Sequence, residues 1–428
     1  VVIVSARPRI GTILASLFLL VLSYSMGYYM LNPIMRTLHD EGLIPGTTEE
    51  NWRFYGGLIA SALQGIGLIF SFLWGVLADK KGRRPVLLVL GLVMSIGLLL
   101  VPTSRAYDQL LVYFLVFGLG YVGVGPVIYA FISDAIPPES RGKGYAYYYV
   151  SSVLAMIVAI IVAGVLLPWR IAYTITGIIV LLTTISLYLS SRGVTIGFSE
   201  SKRELKAYRF REAIPSLKKK TVLLMLLMIV PWTIPWGMLS VWSIDYIHTK
   251  WGVPLETASL IIAMATFSIA VGHILGGTLS DRIVKKGDIS GRTKIPLFGV
   301  ALGYLSMITM ILYPYPRGIT DLSALLPPSL LVLFGMMFTT FAYPNINSII
   351  SEVVIPEHRG TVFAVYSILN NLGWTIGPTF YPWLIGSVFR SADIISSMTT
   401  SAAFTVSFWL VVLLIWGLIH KTYPKDRV

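Results

Sequence analysis

Gly75-Val76-Leu77-Ala78-Asp79-Lys80-Lys81-Gly82-Arg83-Arg84-Pro85-Val86-Leu87 is a charged knot between two long apolar runs, 54–78 and 85–102. Four cations and one carboxylate occupy a connection too short to form a domain. Two apolar helices joined this tightly lie antiparallel, which puts the charges at a water interface. Asp79 ends one run, and Gly82 gives the backbone freedom that a tight turn needs. Arg83 and Arg84 open the next run, within reach of carboxylates on neighbouring helices.

The rest of the chain repeats this apolar plan. Of 428 residues, 55% are hydrophobic and only 12% charged, where a soluble domain carries about 25% charged residues. A membrane span takes roughly 20 apolar residues. Twelve runs qualify: 11–35, 54–78, 85–102, 108–134, 143–167, 170–190, 221–246, 256–280, 295–314, 328–353, 361–386 and 396–420. The fold class expected is therefore an all-α membrane protein with both termini on one side. That side holds 26 of the 33 Lys and Arg residues, and the other holds only Arg36, Arg53, Arg105, Arg170, Lys250, Arg317 and Arg390. By the positive-inside rule the richer side is cytoplasmic, which suits a multi-pass protein of the plasma membrane. The net charge of +13 is then a topology signal, and a nucleic-acid partner is not needed to explain it. The absence of cysteine excludes disulfides and thiolate metal sites.

The pattern G-x-L-A-D-x-x-G-R-[RK], met at Gly75, Leu77, Ala78, Asp79, Gly82, Arg83 and Arg84, resembles the signature loop of the major facilitator superfamily. Two internal repeats support the resemblance. Ile132-Ser133-Asp134-Ala135-Ile136-Pro137-Pro138-Glu139-Ser140-Arg141-Gly142 matches Ile350-Ser351-Glu352-Val353-Val354-Ile355-Pro356-Glu357-His358-Arg359-Gly360. The signature itself has an echo, Gly277-Thr278-Leu279-Ser280-Asp281, resumed after an insertion at Gly291-Arg292. The resemblance implies two pseudo-symmetric six-helix bundles, 1–190 and 221–428, around a basic linker, 191–220. It also implies an inner gate in which Asp134 pairs with Arg83, Arg84 or Arg141, and Glu352 pairs with Arg292 or Arg359. In the linker, Ser201-Lys202-Arg203-Glu204 could cap a short amphipathic helix with Lys218, Lys219 and Lys220 facing lipid phosphates, or the segment could be a solvated tether.

Polar groups inside hydrocarbon are costly, so their placement carries information. Runs three, six, nine and twelve have no amide, imidazole or charge in their interiors, which marks them as peripheral. Run one aligns Tyr24, Tyr28 and Asn32 on one face, and run two adds Gln64. Run seven aligns Trp232 and Trp236 beside Pro231 and Pro235, which favour a helix break there. Run eight carries His273, run ten Tyr343 and Asn347, and run eleven Asn370, Asn371 and Trp374 followed by Gly377-Pro378. Together these read as an aromatic and amide cavity for a small-molecule substrate. His273 could carry a coupling proton or touch substrate, or be a neutral histidine bonded to a neighbouring helix. Asp245 reads as an ordinary outer-surface acid. Gly118-Leu119-Gly120-Tyr121-Val122-Gly123 fits a dinucleotide fingerprint but lies within a helical run, so it reads as close helix packing. Run five lacks the glycine–proline pattern of drug antiporters in the superfamily, and run one lacks the buried acid of many proton symporters.

The reading expected is a monomeric secondary transporter in the lipid bilayer, without cofactor, metal site or enzymatic chemistry. Its solute would be a small neutral or singly charged organic molecule moved by alternating access, with protons as a coupling partner if His273 titrates. The alternatives are an exporter of amphipathic or lipid-like compounds and a membrane sensor that uses the same fold without transport.

Overall fold

A computed structural model of the chain describes residues 10–49, 51–136, 141–194, 214–355 and 358–427. Every regular element among them is helical: α1 (Ile10–Tyr29), α2 (Leu31–Asp40), α3 (Asn51–Lys81), α4 (Arg83–Leu100), α5 (Tyr107–Ala135), α6 (Arg141–Ile161), α7 (Trp169–Ser190), α8 (Ile214–Leu217), α9 (Lys220–Trp251), α10 (Leu255–Lys285), α11 (Gly291–Leu312), α12 (Leu322–Thr339), α13 (Ala342–Val353), α14 (Arg359–Trp383), α15 (Ile394–Val406) and α16 (Phe408–Asp426). Taken as spans, α1–α2, α12–α13 and α15–α16 are each one rod with a bend. Eleven rods are long and apolar enough to cross a membrane. The remaining long helix, α14, is 25 residues but carries Asn370, Asn371 and two prolines, which dilute its apolar character. These are the twelve runs read from the sequence.

The chain divides into two compact units, one of 1–45 with 58–205 and one of 46–57 with 206–428. Each unit pairs its rods to the same plan. In the first, α1 packs on α6 and α7, and α4 packs on α5 and α7. In the second, α9 packs on α14 and α16, and α11 packs on α12 and α16. Both fifth rods also end in a wide π turn, 162–166 after α6 and 384–388 after α14. The sequence repeat is thus a repeat of packing.

Helix ends follow local chemistry. Gly82, at φ +91°, separates α3 from α4 as the signature demands. Gly252, at φ +68°, closes α9 and returns its N–H to His248 O, with Pro254 barring further helix. Asp393 caps α15 by accepting from the backbone N–H groups of Ile395 and Ser396, both at 3.1 Å. Along α7, Ile171, Ile175, Ile178, Leu182, Ile185 and Leu189 are exposed while Ala172, Thr176, Val180 and Leu187 are buried. A stripe of that length suits contact with hydrocarbon, in keeping with the peripheral place expected for the sixth run.

One expectation fails. α9 is continuous through Pro231 and Pro235. The bends fall instead at Met30, at 340–341 and at Ser407. The bend in the tenth rod sits on two glycines of α10: a Cβ on Gly272 would lie 2.2 Å from Met337 O, and one on Gly276 would lie 2.5 Å from Phe341 Cα. Asn345, buried, fixes the bend by donating to Phe341 O at 2.9 Å and to Gly276 O at 3.3 Å. The linker's capping box lies outside the described residues.

Candidate functional site

The signature loop builds a charge network in each unit. In the first, Arg83 at the start of α4 pairs with Asp134 near the end of α5, donates to Ala130 O at 3.2 Å, and lies 3.6 Å from Asp79. In the second, Arg292 at the start of α11 lies 3.1 Å from Glu352 near the end of α13 and pairs with Asp281. Asp79 corresponds to Asp281, Arg83 to Arg292, and Asp134 to Glu352. The insertion in the echo is folded away by Asp288, which accepts from the Ser290 N–H at 2.9 Å and from Lys294 at 2.9 Å. The Ser290 hydroxyl, and then Lys294, hold that carboxyl down at about 2. Gly291 lets α11 start against Ile283, where a Cβ would come within 2.7 Å.

The other expected gate partners go elsewhere. Arg84 stacks over the Tyr188 ring at 3.8 Å and donates to Tyr188 O at 2.9 Å. Arg359 donates to the backbone of Val354 at 3.0 Å and of Ser351, closing its own loop. Arg141 begins α6, but its side chain is outside the described set. Gly75 has no atom within 4 Å of where its Cβ would be. Lys219, expected to face lipid, donates to Val353 O at 2.7 Å instead.

The interior polar residues fall into one group per unit. In the first unit Tyr24, Tyr28 and Asn32 are buried. Tyr24 meets the Tyr121 ring at 5.7 Å, and Tyr28 stacks on the same ring at 5.6 Å. Gln64 on α3 is half-buried. The sequence reading missed Tyr121, Tyr129 and Tyr148, whose rings extend this wall, the last two 4.8 Å apart. For Tyr148 the sequence signal is the run Tyr145-Ala146-Tyr147-Tyr148-Tyr149.

In the second unit Trp232 meets Tyr343 at 5.8 Å and Trp409 at 6.0 Å, and Trp236 meets Trp409 at 5.8 Å. His273 lies 5.4 Å from Tyr343, beside the bend of the tenth rod. Its Nδ1 is 2.9 Å from Ile269 O on its own helix, so the neighbouring-helix bond is not what holds it. A carbonyl only accepts, so Nδ1 is the donor in this bond, and Nε2 would accept in the neutral ring and donate in the cation. Asn347 is exposed, and Asn370, Asn371 and Trp374 are half-buried on α14. Gly373 and Gly377 bring α14 against α9, where a Cβ would lie 1.9 Å from Thr233 Oγ1 and 2.4 Å from Ile234 O respectively. In the first unit the fingerprint-like glycines do the same work. A Cβ on Gly120 would lie 2.5 Å from Met94 Cγ, and one on Gly123 would lie 2.5 Å from Trp74.

Asp245 is the second correction. It is 1% exposed and holds Arg53, itself fully buried, through Nε at 2.7 Å and Nη2 at 3.3 Å. Glu49 and Thr249 take further donors of the guanidinium, and Trp52 lies under it at 4.6 Å. Trp52 in turn meets Trp242, 5.7 Å away. Trp242 donates its indole N–H to Pro378 O at 2.8 Å. That carbonyl is free for it because Pro382, one turn on, has no N–H.

The sequence pattern of the Major Facilitator Superfamily matches residues 17–378. The chain is 23% identical over 399 residues to a multi-drug resistance efflux pump PmrA homolog of Lactococcus lactis, covering 91% of this chain and 90% of that protein. It is also 23% identical to a hexuronate transporter of Bacillus subtilis over 77% of this chain and 78% of that one. Its fold superposes on a bacterial homolog of the human lysosomal transporter Spinster with a TM-score of 0.82, at 16% identity and 99% coverage of both chains. Matched charge networks, a twice-used rod plan and twelve long rods, eleven of them apolar enough to cross a membrane, agree with these likenesses: this chain is a transporter of the Major Facilitator Superfamily.

Proposed function

We propose that the transporter carries a small organic solute with at most one net charge, in the plasma membrane, with both termini cytoplasmic. One observation carries the reading. Every described Lys, Arg, Asp and Glu of the long helices lies near a helix end, and the polar groups of the helix interiors are uncharged: Tyr, Trp, His, Ser, Thr and amide side chains. A multiply charged solute in such surroundings would lack a counter-charge, and an unpaired charge in low dielectric is prohibitive. Aromatic faces with phenol, indole and amide groups suit a molecule with apolar surface and a few hydrogen-bonding groups. The indole N–H of Trp236 is buried without an acceptor among the described residues, so it has a bond to give.

Tyr24, Tyr28, Asn32, Gln64, Trp232, Trp236, His273, Tyr343, Asn347, Asn370, Asn371 and Trp374 are the proposed solute contacts, and Tyr121, Tyr129 and Tyr148 join them. The solute named for one relative, a hexuronate, carries a single carboxylate and falls within the charge limit. Sulfoacetate and galactarate or D-glucarate, named for two relatives matched over 54% and 36% of this chain, carry two anionic groups and fall outside it. The test is uptake by purified protein in liposomes. Neutral and monovalent organic compounds should compete with one another, and Trp236→Phe and Asn371→Ala should weaken uptake about tenfold each, the loss of one hydrogen bond in a dry site. Robust transport of a sugar phosphate or a dicarboxylate would overturn the charge limit.

A further inference from the structure

The end of α16 is a strap fastened to the second unit. Ile419 and Tyr423 are buried. Thr221 of α9 donates its hydroxyl to Thr422 at 2.9 Å and its backbone N–H to the Asp426 carboxylate at 2.8 Å. An anion at that point also meets the positive end of the α9 dipole. Lys219 Nζ bridges Asp426 O, at 3.2 Å, and Val353 O. His420 Nδ1 is 2.7 Å from Thr293 Oγ1 on α11. Tyr423 donates to Glu352, and Arg427 lies 3.5 Å from the same carboxylate. The strap therefore grips the acid of the second-unit charge network.

The outer side of the strap is cationic. Lys421 and Lys425, four residues apart on one helix face, are exposed. Lys218 and Lys220, flanking the bonded Lys219, are exposed as well. The bonds from Thr221 to Thr422 and Asp426 join the two chain segments that carry these lysines. None of the four makes an ion pair among the described residues. Four like charges at the ends of two membrane spans repel one another, the carboxylate at the junction, Asp426, is taken by the Thr221 N–H, and a further anion would relieve the repulsion. The anion abundant at that depth is a lipid phosphate.

We infer that Lys218, Lys220, Lys421 and Lys425 form a site for the headgroup of an anionic phospholipid, whose binding holds the strap, and through it Tyr423 and Arg427, on Glu352. The inference goes beyond the solute reading and does not depend on it. Only the leaflet, the inner one, rests on the orientation proposed above.

Thermal unfolding of the purified protein in a neutral detergent tests it without any solute. Phosphatidylglycerol should raise the midpoint, whereas phosphatidylcholine and inorganic phosphate should not. Lys218→Gln, Lys220→Gln, Lys421→Gln and Lys425→Gln combined should at least halve the rise. The matching variant of Lys80, Lys81, Lys285 and Lys286, on the same membrane side, should keep it. Tyr423→Phe with Arg427→Gln should shrink the rise while leaving the lysines in place. An undiminished rise in the first variant, or an equal loss in the second, overturns the site. A rise with inorganic phosphate as large as with phosphatidylglycerol overturns the lipid as its ligand.

Discussion

Arg53 has five N–H donors and uses all of them, on Asp245, Thr249, Glu49 Oε2 and the Glu49 carbonyl. Removing a fully buried charge from water is costly, and only a complete set of partners offsets it. Asp245→Ala should therefore destabilise the protein by roughly 3–5 kcal/mol, because it strands a buried guanidinium. Arg53→Met with Asp245→Leu should recover most of that loss, since an apolar pair of similar volume carries no desolvation cost. Unfolding midpoints of the two variants decide the matter, and a double variant as unstable as Asp245→Ala would show that the pair is not the cause. The pair was invisible in the sequence because 192 residues separate its members. Depth along a helix can be read from a string of residues, and Asp245 was placed correctly near an end. What lies across from it depends on packing that no local pattern encodes. His273 shows the same limit: its position was legible, but its acceptor on its own helix was not.

At the scale of helices, glycines separate what packing needs from what the cycle needs. Gly75, the first fixed position of the signature, has nothing near its Cβ direction, whereas Gly272, outside any motif, is wedged on the Met337 carbonyl. Gly75→Ala should leave the unfolding midpoint unchanged or raise it, since Ala is favoured in a helix interior by about 1 kcal/mol. Gly272→Ala should lower it, because the blocking atom is backbone and cannot rotate away. If solute uptake nevertheless falls in Gly75→Ala, the signature glycine serves a conformational step and not the fold. A drop in stability on Gly75→Ala, or none on Gly272→Ala, would contradict this division. The prolines teach a related lesson. Pro231 and Pro235 suggested a break, but α9 absorbs both, while the tenth rod bends where Gly272 and Gly276 leave room and Asn345 supplies bonds. A proline removes a donor; whether the helix then bends is decided by the neighbour.

Over the whole molecule, the twelve rods and the family were legible because hydrocarbon imposes a coarse rule: long apolar runs, charges at their ends, and a motif spelled in adjacent residues. The tyrosine wall of α5 and α6 and the strap of α16 were not, because their members come together only through tertiary packing. The two charge networks lie between these cases, since the repeat foretold which residues correspond and the structure ranks their partners. Asp134 is buried against Arg83, but the Asp79 side chain is 70% exposed at 3.6 Å from it. Exposed pairs are worth about 1 kcal/mol or less, whereas breaking a buried pair costs about 3 kcal/mol or more. Asp134→Asn should therefore cost far more stability than Asp79→Asn, although Asp79 is the signature residue. In the second unit the ranking should be shallower, because Glu352 is 22% exposed and Arg292 holds Asp281 at 2.5 Å, where Arg83 stands 3.6 Å from Asp79. Glu352→Gln also frees Tyr423 and Arg427, so its cost should shrink in a variant that already carries Tyr423→Phe. Unfolding midpoints of Asp134→Asn, Asp79→Asn, Glu352→Gln, Asp281→Asn and Tyr423→Phe, and of the Glu352→Gln, Tyr423→Phe combination, test the ranking in one series. An Asp79→Asn cost equal to that of Asp134→Asn would mean that the signature acid acts through a partner other than Arg83, and the correspondence between the two networks would then fail at its first position.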